Sequence, residues 1–326
     1  MLNLKIGLST ILVILLLLPF GHSRSVLGAE FPSKPITLIV PSGAGGGHDL
    51  TFRAVTSVSM DYLGQPMVVR LMPGGGGAIG SDFVAKAKPD GYTLLAGGRG
   101  WSSALPAVDG RSKGPDDLAT VCRVNYNTIM LVARGDGPYK NFKELMAWVK
   151  ANPGKLIVGT GSRWIQADHF WKKLMLERGI KVKLVPYQGG GQQFRAVLGG
   201  HSDVGGAIPA MYDSFKGTGK LTPLIWLDKK RHPHYPNVPT SYEEGVDFMS
   251  GMWRGILAPK GTPRPIIEKL GAACRKMTKS KTVVRMIKRF GDGIQFLGPD
   301  EFAKVWRAEY EELKTFGRAF KKAYMK

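Results

Sequence analysis

Short apolar runs alternate along this chain with longer segments in which apolar residues recur every three or four positions. The runs ITLIV, MVVRLM and YTLLAGG are typical of buried strands. Between them, the segment from about residue 49 to 63 and the segment SDFVAKAKPDG have the period of amphipathic helices. Strands and helices that alternate in this way predict a parallel sheet covered by helices on both faces.

The same alternation begins again in the middle of the chain. Strands are predicted at TIMLVAR, LIVGTG, VKLVPY and KLTPLIWL, and helices at NFKELMAWVKANPG, QADHFWKKLMLERG and QQFRAVLGG. Loops rich in Pro and Gly follow at HPHYPNVPT and LAPKGTPRP, and beyond them the chain has helical periodicity. Two α/β units of similar size, followed by a helical run, indicate two lobes with a cleft between them.

Glycine-rich turns follow five of the predicted strands. They lie at residues 43–47, 74–77, 97–100, 159–162 and 189–191. Because ligands of open α/β sheets bind outside the carboxyl ends of the strands, we expect these turns to face one cleft. The first turn, within VPSGAGGGHD, leads into a helix whose N-terminal N–H groups and dipole favour a negative charge. The pattern therefore predicts a site for an anion.

Motifs for nucleotide binding and catalysis are weak or missing. Gly75, Gly77 and Gly80 satisfy G-x-G-x-x-G, but the next strand ends in AGGR, without the acidic residue that would bind a ribose. Ser81 stands where a phosphate-binding loop requires Lys. The sequence contains neither G-x-S-x-G nor H-E-x-x-H. Binding is therefore favoured over catalysis, and no cofactor or metal site is predicted.

The first 29 residues have the composition of a secretory signal. Lys5 provides a positive n-region, residues 8–20 form an apolar core, and the small residues ending at Ala29 resemble a cleavage site. The apolar core is too short for a permanent membrane span, although an uncleaved N-terminal anchor is the alternative. The rest of the chain is therefore expected in the periplasm.

Basic residues outnumber acidic ones, 46 to 25, which gives a formal net charge of +21. Lys and Arg are spread over helical segments without an RNA-binding or DNA-binding signature, so nucleic acid is not expected as a partner. The excess charge fits a solvated surface, or attraction to anionic ligands or to an anionic membrane face.

Cys122 and Cys274 are the two cysteines of the chain. Export permits a disulfide between them, but a separation of 152 positions says nothing about their proximity. A disulfide and two buried thiols both remain open at this point.

A resemblance to the Bug or TctC family, the periplasmic receptors of tripartite tricarboxylate transporters, extends from Phe31 to about Gly298. It is carried by FPSKPITLIVPSGAGGGHDL, LGQPMVVRLMPGGGGAIGSDFVAKAKPDGYTLLAGG, NFKELMAWVKANPGKL, VPYQGGGQQFRAVLGGHSDV and WRGILAPKGTP, in the family's order. The resemblance implies a type II periplasmic-binding-protein fold, an α/β fold with two lobes, a ligand cleft and a hinge. Domain I would combine residues 30–125 and 251–326, and domain II would comprise residues 126–250.

The resemblance also implies a function. Members capture a small organic anion, often a di- or tricarboxylate, and deliver it to the membrane permease subunits of the transporter. The protein would then be a monomeric receptor and not an enzyme. An exported α/β enzyme acting on a small carboxylate, and a sensory receptor for the same ligands, are the alternatives.

Carried over residue by residue, the resemblance implies a ligand site built from turns of both lobes. Domain I would contribute Ser42, Gly43, Ala44, Gly45, Gly46, His48, Asp49, Arg99 and Trp101, and domain II would contribute Gly161, Ser162, Arg163, Trp164, Tyr187, Gly189 and Asp203. Asp49 has a second interpretation, as a cap for backbone N–H groups at the start of a helix.

Several of these residues depart from the family pattern. Ser42, Gly43 and His48 differ in the first turn, and an Arg and a Trp replace small residues in the third turn and again in the fourth. Arginine suits bidentate binding of a carboxylate, and tryptophan offers an apolar face. We therefore hypothesise a ligand with an anionic group and a sizeable apolar or aromatic body. Alternatively, the arginines face solvent and the tryptophans pack between the lobes.

Overall fold

The computed structural model describes residues 31–161, 163–164, 166–187, 189–289 and 292–325. Pro32–Lys326 forms one compact unit. The predicted signal at residues 1–29 and the predicted ligand residue Ser162 lie outside the described residues.

Ten strands of the described residues form two separate five-stranded sheets. The first sheet comprises β1 (Ile36–Val40), β2 (Met67–Leu71), β3 (Thr93–Gly98), β4 (Leu118–Thr128) and β10 (Gly251–Pro259), in the order β2-β1-β3-β10-β4. The second sheet comprises β5 (Met130–Arg134), β6 (Ile157–Thr160), β7 (Lys183–Pro186), β8 (Val204–Ala207) and β9 (Leu221–Trp226), in the order β7-β6-β8-β5-β9.

Helices occupy the connections between the strands and most of the C-terminal segment. They are α1 (Gly47–Thr56), α2 (Ser59–Leu63), α3 (Ala78–Ala85), α4 (Leu105–Asp109), α5 (Phe142–Ala151), α6 (Gln166–Arg178), α7 (Gly190–Leu198), α8 (Pro209–Asp213), α9 (Arg264–Lys279), α10 (Lys281–Arg289) and α11 (Pro299–Tyr324). A 3₁₀ turn spans Gly75–Gly77, and a π-helical turn spans Arg99–Ala104.

Both sheets are mixed, which corrects the prediction of parallel sheets. In the first sheet β1 is parallel to β2 and β3, but β10 is antiparallel to β3 and β4. In the second sheet β6 is parallel to β7 and β8, whereas β5 is antiparallel to β8 and β9. The antiparallel strands are β5 and β10. Each is the first strand after the chain has passed from one sheet to the other, β5 directly after β4 and β10 after β9. An apolar run in the sequence indicates a buried strand but not the direction in which it runs. The sequence pattern therefore could not predict which strands are antiparallel.

The single helix predicted from residue 49 to 63 is two helices, α1 and α2. The Ser57 hydroxyl donates to the Ala54 carbonyl oxygen, 2.8 Å away, and so competes for a backbone acceptor of the helix. Val58, which follows, has non-helical backbone angles of −112° and 12°. A hydroxyl back-bond followed by a β-branched residue is a local reason for the interruption.

Each sheet has its own apolar core. Around the first sheet, Trp253 and Phe302 pack with ring centroids 5.1 Å apart, and Leu95 and Trp306 belong to the same cluster. A larger cluster around the second sheet includes the fully buried Trp171. Burial of one large apolar side chain contributes about 1.5–3 kcal/mol. Two cores of this kind stabilise two lobes.

The last helix, α11, contacts both lobes. Pro299 occupies its first turn together with two acidic residues, which suits the positive end of the helix dipole. Phe302 and Trp306 pack on the first sheet, and Phe320, farther along, packs edge-on against Trp164, with ring centroids 5.7 Å apart. This helix therefore joins the first sheet to the turn that follows β6.

Cys122 of β4 and Cys274 of α9 form a disulfide, with their Cα atoms 6.6 Å apart. The structure thereby settles the alternative that the sequence left open. The bond attaches α9 to the strand on which it packs. None of the helices described within residues 31–325 is both long and apolar enough to span a membrane.

Candidate ligand-binding site

A cavity of about 840 Å³ lies where the glycine-rich turns of the two sheets meet. The first sheet contributes Pro41, Ser42, His48, Gly74, Gly75, Gly76, Gly77, Gly100 and Trp101, and the second contributes Gly161, Arg163, Tyr187, Gly189 and Gly190. Four of the five turns singled out in the sequence supply lining residues, and the first, 43–47, lies between the lining residues Ser42 and His48. The carboxyl ends of strands from both lobes therefore face one cleft.

Seven of the predicted ligand residues line this cavity. They are Ser42, His48, Trp101, Gly161, Arg163, Tyr187 and Gly189. The predicted residues Gly43, Ala44, Gly45 and Gly46 are exposed in the first turn and do not line it. Four others, Asp49, Arg99, Trp164 and Asp203, also lie outside the lining, and each has a partner elsewhere.

His48 and Trp101 form a pair on the first-lobe wall. Their ring centroids are 4.3 Å apart, and the Trp101 indole N–H donates to the Ala96 carbonyl oxygen, 3.1 Å away. Burial, and then the positive charge of Arg254, lower the pKa of His48 well below its ordinary value of 6.5. The imidazole is therefore neutral at neutral pH, and its Nε2 atom has no hydrogen-bond partner among the described residues.

Two more buried polar atoms of the lining are unpartnered within the described part of the chain. They are the Ser42 hydroxyl oxygen, at the carboxyl end of β1, and the side-chain nitrogen of Gln193, in the first turn of α7. Gln193 is 2% exposed. The sequence analysis did not select it, although its position next to the fifth glycine turn was a usable signal. Neutral polar residues from both lobes thus line the cavity, while these three atoms are themselves buried, with His48 Nε2 next to Gly98 and the Gln193 nitrogen next to Gly205.

The fourth and fifth turns are held together through backbone atoms. The Gly189 N–H donates to the Gly161 carbonyl oxygen, 2.9 Å away. A Cβ atom on Gly161 would lie 3.2 Å from the Gly190 nitrogen, so only glycine allows this approach without a shift. The Tyr187 hydroxyl lies 3.2 Å from the Ser202 hydroxyl, which orients the phenol beside these turns.

Arg163 is the one residue of the described lining with a side chain that is charged at neutral pH. The turn that presents it contains two non-glycine residues with positive φ, Trp164 at 65° and Gln166 at 34°. Such conformations cost free energy and persist where the surroundings impose them. Here Asp168 accepts from the Trp164 N–H at 2.6 Å and from the Lys172 ammonium at 2.5 Å.

Lys172 completes the support of this turn. Its ammonium lies over the Trp164 ring, 3.6 Å from the centroid, and burial lowers its pKa. Trp164 is 3% exposed and packs between Lys172 and the aromatic residues of α11. For Trp164 the alternative interpretation, packing between the lobes, describes its position.

Arg99 does not line the cavity, contrary to its predicted position. It is 3% exposed, and its Nε donates to Glu309, 3.1 Å away. Its two terminal nitrogens lie 3.3 Å from the Trp164 carbonyl oxygen and 3.2 Å from His169 Nδ1. The π-helical turn directs Arg99 towards α11, while Trp101, two residues later, faces the cleft. Burial, and then the charge of Arg99, lower the pKa of His169 well below 6.5.

The two predicted carboxylates have structural partners. Asp49 accepts from the Gly45 N–H at 2.9 Å and from the Arg53 guanidinium at 2.7 Å, so it ties the glycine turn to α1. Gly45 precedes the helix and its N-cap Gly46, so Asp49 does not cap the N–H groups of α1 itself. Asp203 accepts from the Ile157 N–H at 2.8 Å and connects β6 with the start of β8. No carboxylate belongs to the described lining of the cavity.

An apolar wall completes the cavity. Its members are Leu105, Ile129, Ala167, Ile208, Met211 and Met252. Met252 lines the cleft because side chains alternate along β10, so that its neighbour Trp253 enters the core of the first lobe. Among the described residues, no group of three or more His, Cys, Asp or Glu side chains is placed to hold a metal ion.

Two lobes, each with its own sheet, and a cavity lined by turns from both define a solute-binding protein of the periplasmic-binding-protein class. The sequence model of the "Tripartite tricarboxylate transporter family receptor" matches residues 51–313, and this chain belongs to that family. Both the fold class and the family expected from the sequence are confirmed. The family consists of periplasmic binding proteins.

Known proteins show the same relationship over most of the chain. Protein BugT of Bordetella pertussis is 32% identical over 291 residues, which cover 86% of this chain and 87% of BugT. A TctC solute-binding protein from Polaromonas is 29% identical with a TM-score of 0.75, covering 88% of this chain and 98% of the other. MatC from Rhodopseudomonas palustris, with bound malate, is 28% identical with a TM-score of 0.74, covering 88% and 100%.

Proposed function

We propose that this protein captures a small organic carboxylate in the cavity between its two sheets and delivers it to the membrane permease of a tripartite tricarboxylate transporter. The observation that carries the proposal is the charge of the lining. Arg163 is positively charged, and no described lining residue is an acid. An anion is therefore the ligand that this cavity stabilises.

The polar groups around the cavity support the same ligand. Gly189 and Gly190 line the cavity at the N-terminus of α7, whose N–H groups and dipole favour carboxylate oxygens. Ser42, neutral His48 and Gln193 are polar residues of the lining that add no negative charge. A relative of similar fold, MatC, binds malate, which is a carboxylate.

The apolar wall selects the body of the ligand. Trp101 and the aliphatic side chains opposite the polar turns provide a surface that a chain or ring can cover. A volume of about 840 Å³ lies in the upper part of the range for small-molecule sites, about 300–1,000 Å³. We therefore propose a carboxylate with a sizeable apolar or aromatic body.

We propose that residues 30–125 and 251–326 form domain I, that residues 126–250 form domain II, and that the two connecting segments act as a hinge that closes the lobes over the ligand. The two separate sheets support such a division, although β4 of the first sheet extends to Thr128, just past the proposed boundary. The protein is exported through the signal at residues 1–29 and acts as a monomeric receptor without enzymatic activity. Support for a receptor comes from the family, whose description is that of a transporter receptor.

A ligand screen with matched variants tests this function. Purified protein is screened by thermal shift against aliphatic and aromatic carboxylates and their neutral amides, because a ligand of the folded state raises the melting temperature. Calorimetry then gives the affinity for each carboxylate that binds. Arg163→Gln removes the positive charge of the lining that would bind the carboxylate, so the affinity should fall about 10- to 100-fold. The matched control Arg195→Gln changes an exposed arginine outside the lining and should preserve it.

Two results would overturn the proposal. One is a screen in which only neutral compounds raise the melting temperature. The other is a carboxylate whose affinity is the same in the wild type and in Arg163→Gln, since that ligand would bind without the charge on which the proposal rests.

A further inference from the structure

A dense group of basic residues lies on two consecutive helices of the first lobe, away from the cavity. From residue 269 to 289 the sequence contains no Asp or Glu. In the same stretch stand eight cations, Lys269, Arg275, Lys276, Lys279, Lys281, Arg285, Lys288 and Arg289. Helices α9 and α10, joined by Ser280, carry them. This stretch accounts for much of the chain's positive charge.

The two helices have a clear division into faces. Their inward faces are apolar, with Leu270 and Met277 of α9 and Val283 and Ile287 of α10 buried. The outward side chains are cations that recur at helical spacing. We call the exposed set the basic face, and it consists of Arg275, Lys276, Lys279, Lys281, Arg285, Lys288 and Arg289. Because α10 also packs against α9 and α1, the face belongs to the folded lobe.

The basic face is not neutralised by nearby acids. Among the described residues, no carboxylate forms an ion pair with Lys276, Lys279, Lys281, Arg285, Lys288 or Arg289. Arg264, at the start of α9, shows the contrast, because it pairs with both Glu268 and Asp300. The positive charge of the face is therefore directed to solvent or to a partner.

Exposed apolar side chains accompany these cations. Val284 lies within the outward side of α10 and is 44% exposed. On α2, which packs against α9, Met60 is 58% exposed and Tyr62 is 37% exposed. Clustered Lys and Arg side chains are attracted to the anionic headgroups of a bilayer, and Val284 adds an exposed apolar side chain among those of α10.

We propose that the basic face docks this protein on the anionic phospholipid surface of a membrane. Three of the seven cations lie on the last turns of α9, and four lie over about 12 Å of α10, from Lys281 to Arg289. Within the described residues, Arg275 lies over the Phe296 ring, 4.5 Å from its centroid, and the other six cations have no hydrogen-bonding or ion-pair partner. Long, mobile cations suit a surface whose negative charges are also mobile, whereas an acidic protein partner would need carboxylates at fixed positions. The inference depends on export and is independent of the carboxylate site.

Vesicle binding tests the inference directly. The protein is prepared from residue 30 onward, because the apolar segment 8–20 would itself enter vesicles and Pro32–Lys326 is a compact unit. Flotation is measured with phosphatidylcholine vesicles and with vesicles that also contain phosphatidylglycerol. We expect binding only to the anionic vesicles, and release in about 1 M NaCl, where the Debye length is about 3 Å.

Two triple variants of equal charge separate this face from the overall charge. Lys279→Gln, Arg285→Gln and Lys288→Gln together should lower the partition coefficient on anionic vesicles about 100-fold. The control combines Lys143→Gln, Lys150→Gln and Lys220→Gln, three exposed cations of the other lobe, and should stay within about threefold of the wild type. The thermal shift with a carboxylate should be the same in both variants.

Three outcomes would overturn the inference. Absence of binding to anionic vesicles would do so, as would an equal loss in the two triple variants, which would indicate only the net charge. In the third outcome, immobilised polyglutamate captures the wild type but not the basic-face variant, and neither protein binds vesicles. This result would indicate an acidic protein partner. Because the carboxylate response is measured separately, failure here leaves the proposed function intact, and the reverse also holds.

Discussion

The guanidinium of Arg99 donates a hydrogen bond to the backbone carbonyl oxygen of Trp164, 3.3 Å away. The two residues belong to turns of different sheets, and Trp164 directly follows Arg163, which lines the cavity. The same guanidinium contacts Glu309 of α11 and His169 of α6. Arg99 therefore stabilises the contact between the lobes and supports the turn that presents Arg163.

Replacement of Arg99 should destabilise the protein. Arg99→Gln leaves the Glu309 carboxylate and the Trp164 carbonyl without their charged donor, and Glu309 is only 19% exposed. Loss of one partner from a buried ion pair typically costs about 3 kcal/mol or more. We expect a loss of about 2–3 kcal/mol in the free energy of unfolding, measured by urea denaturation.

A matched control separates this effect from loss of charge. Arg231→Gln removes an arginine whose pair with Glu243 is about half exposed on both sides, and such pairs contribute little. Equal stability of the Arg99 and Arg231 variants would show that the network between the lobes contributes nothing measurable.

Gly98→Ala should disturb the wall formed by His48 and Trp101. The φ of Gly98 is −158°, which alanine adopts freely, so the obstacle is space. An added Cβ atom would overlap His48 Nε2 and lie 3.0 Å from the Trp101 ring. Overpacking of this kind costs about 1–3 kcal/mol. We expect a lower melting temperature and weaker binding of the carboxylate found in the screen.

Gly43→Ala is the control for this change. A Cβ atom at Gly43 would meet no atom within 4 Å, so stability should be unchanged. If both alanine variants retain wild-type stability and affinity, the close packing of Gly98 against His48 does not shape the site.

The disulfide between Cys122 and Cys274 should contribute to stability. It connects residues 152 positions apart and so restricts the unfolded chain over a long segment. We expect the double variant Cys122→Ala and Cys274→Ala to lose about 2–4 kcal/mol of unfolding free energy. Reductant should lower the stability of the wild type and leave the double variant unchanged. A reductant effect of the same size in both proteins would contradict the assignment.

Stability should fall as the pH falls from about 7 to 5. His48 and His169 are buried, and their pKa values are lowered well below 6.5. In this pH range the two imidazoles therefore stay neutral in the folded protein, whereas the same side chains bind protons in the unfolded chain. The unfolding free energy therefore decreases on acidification, by at most about 1.4 kcal/mol per pH unit for each histidine.

Urea denaturation across this pH range measures the slope. His169→Gln should reduce it, because one of the two buried imidazoles is gone. His201→Gln, at an exposed position, should keep the wild-type slope. If the His169 variant has the same slope as the wild type, this histidine does not couple stability to pH.

The order of strands, helices and glycine turns could be predicted from the sequence, because periodicity and turn residues act locally. ITLIV is a strand, the segment beginning at Gly190 is a helix, and glycine turns follow the strands as predicted. Recognition of the family added the fold class and the expectation of a cleft between lobes. For the site, the family resemblance indicated Arg163 and His48 as candidates, and both line the cavity.

Tertiary structure alone decided how these pieces meet. The direction of β10, the bond between Cys122 and Cys274, and the use of Gln193 in the cavity depend on contacts between residues far apart in the chain. Arg99 and Trp101 lie in one π-helical turn, yet Arg99 contacts α11 and Trp101 lines the cavity. Because such a turn is irregular, the sequence could not predict which way each side chain points. Sequence by itself determined which segments form elements and where an anion site is possible, while packing between distant segments decided which side chains face it.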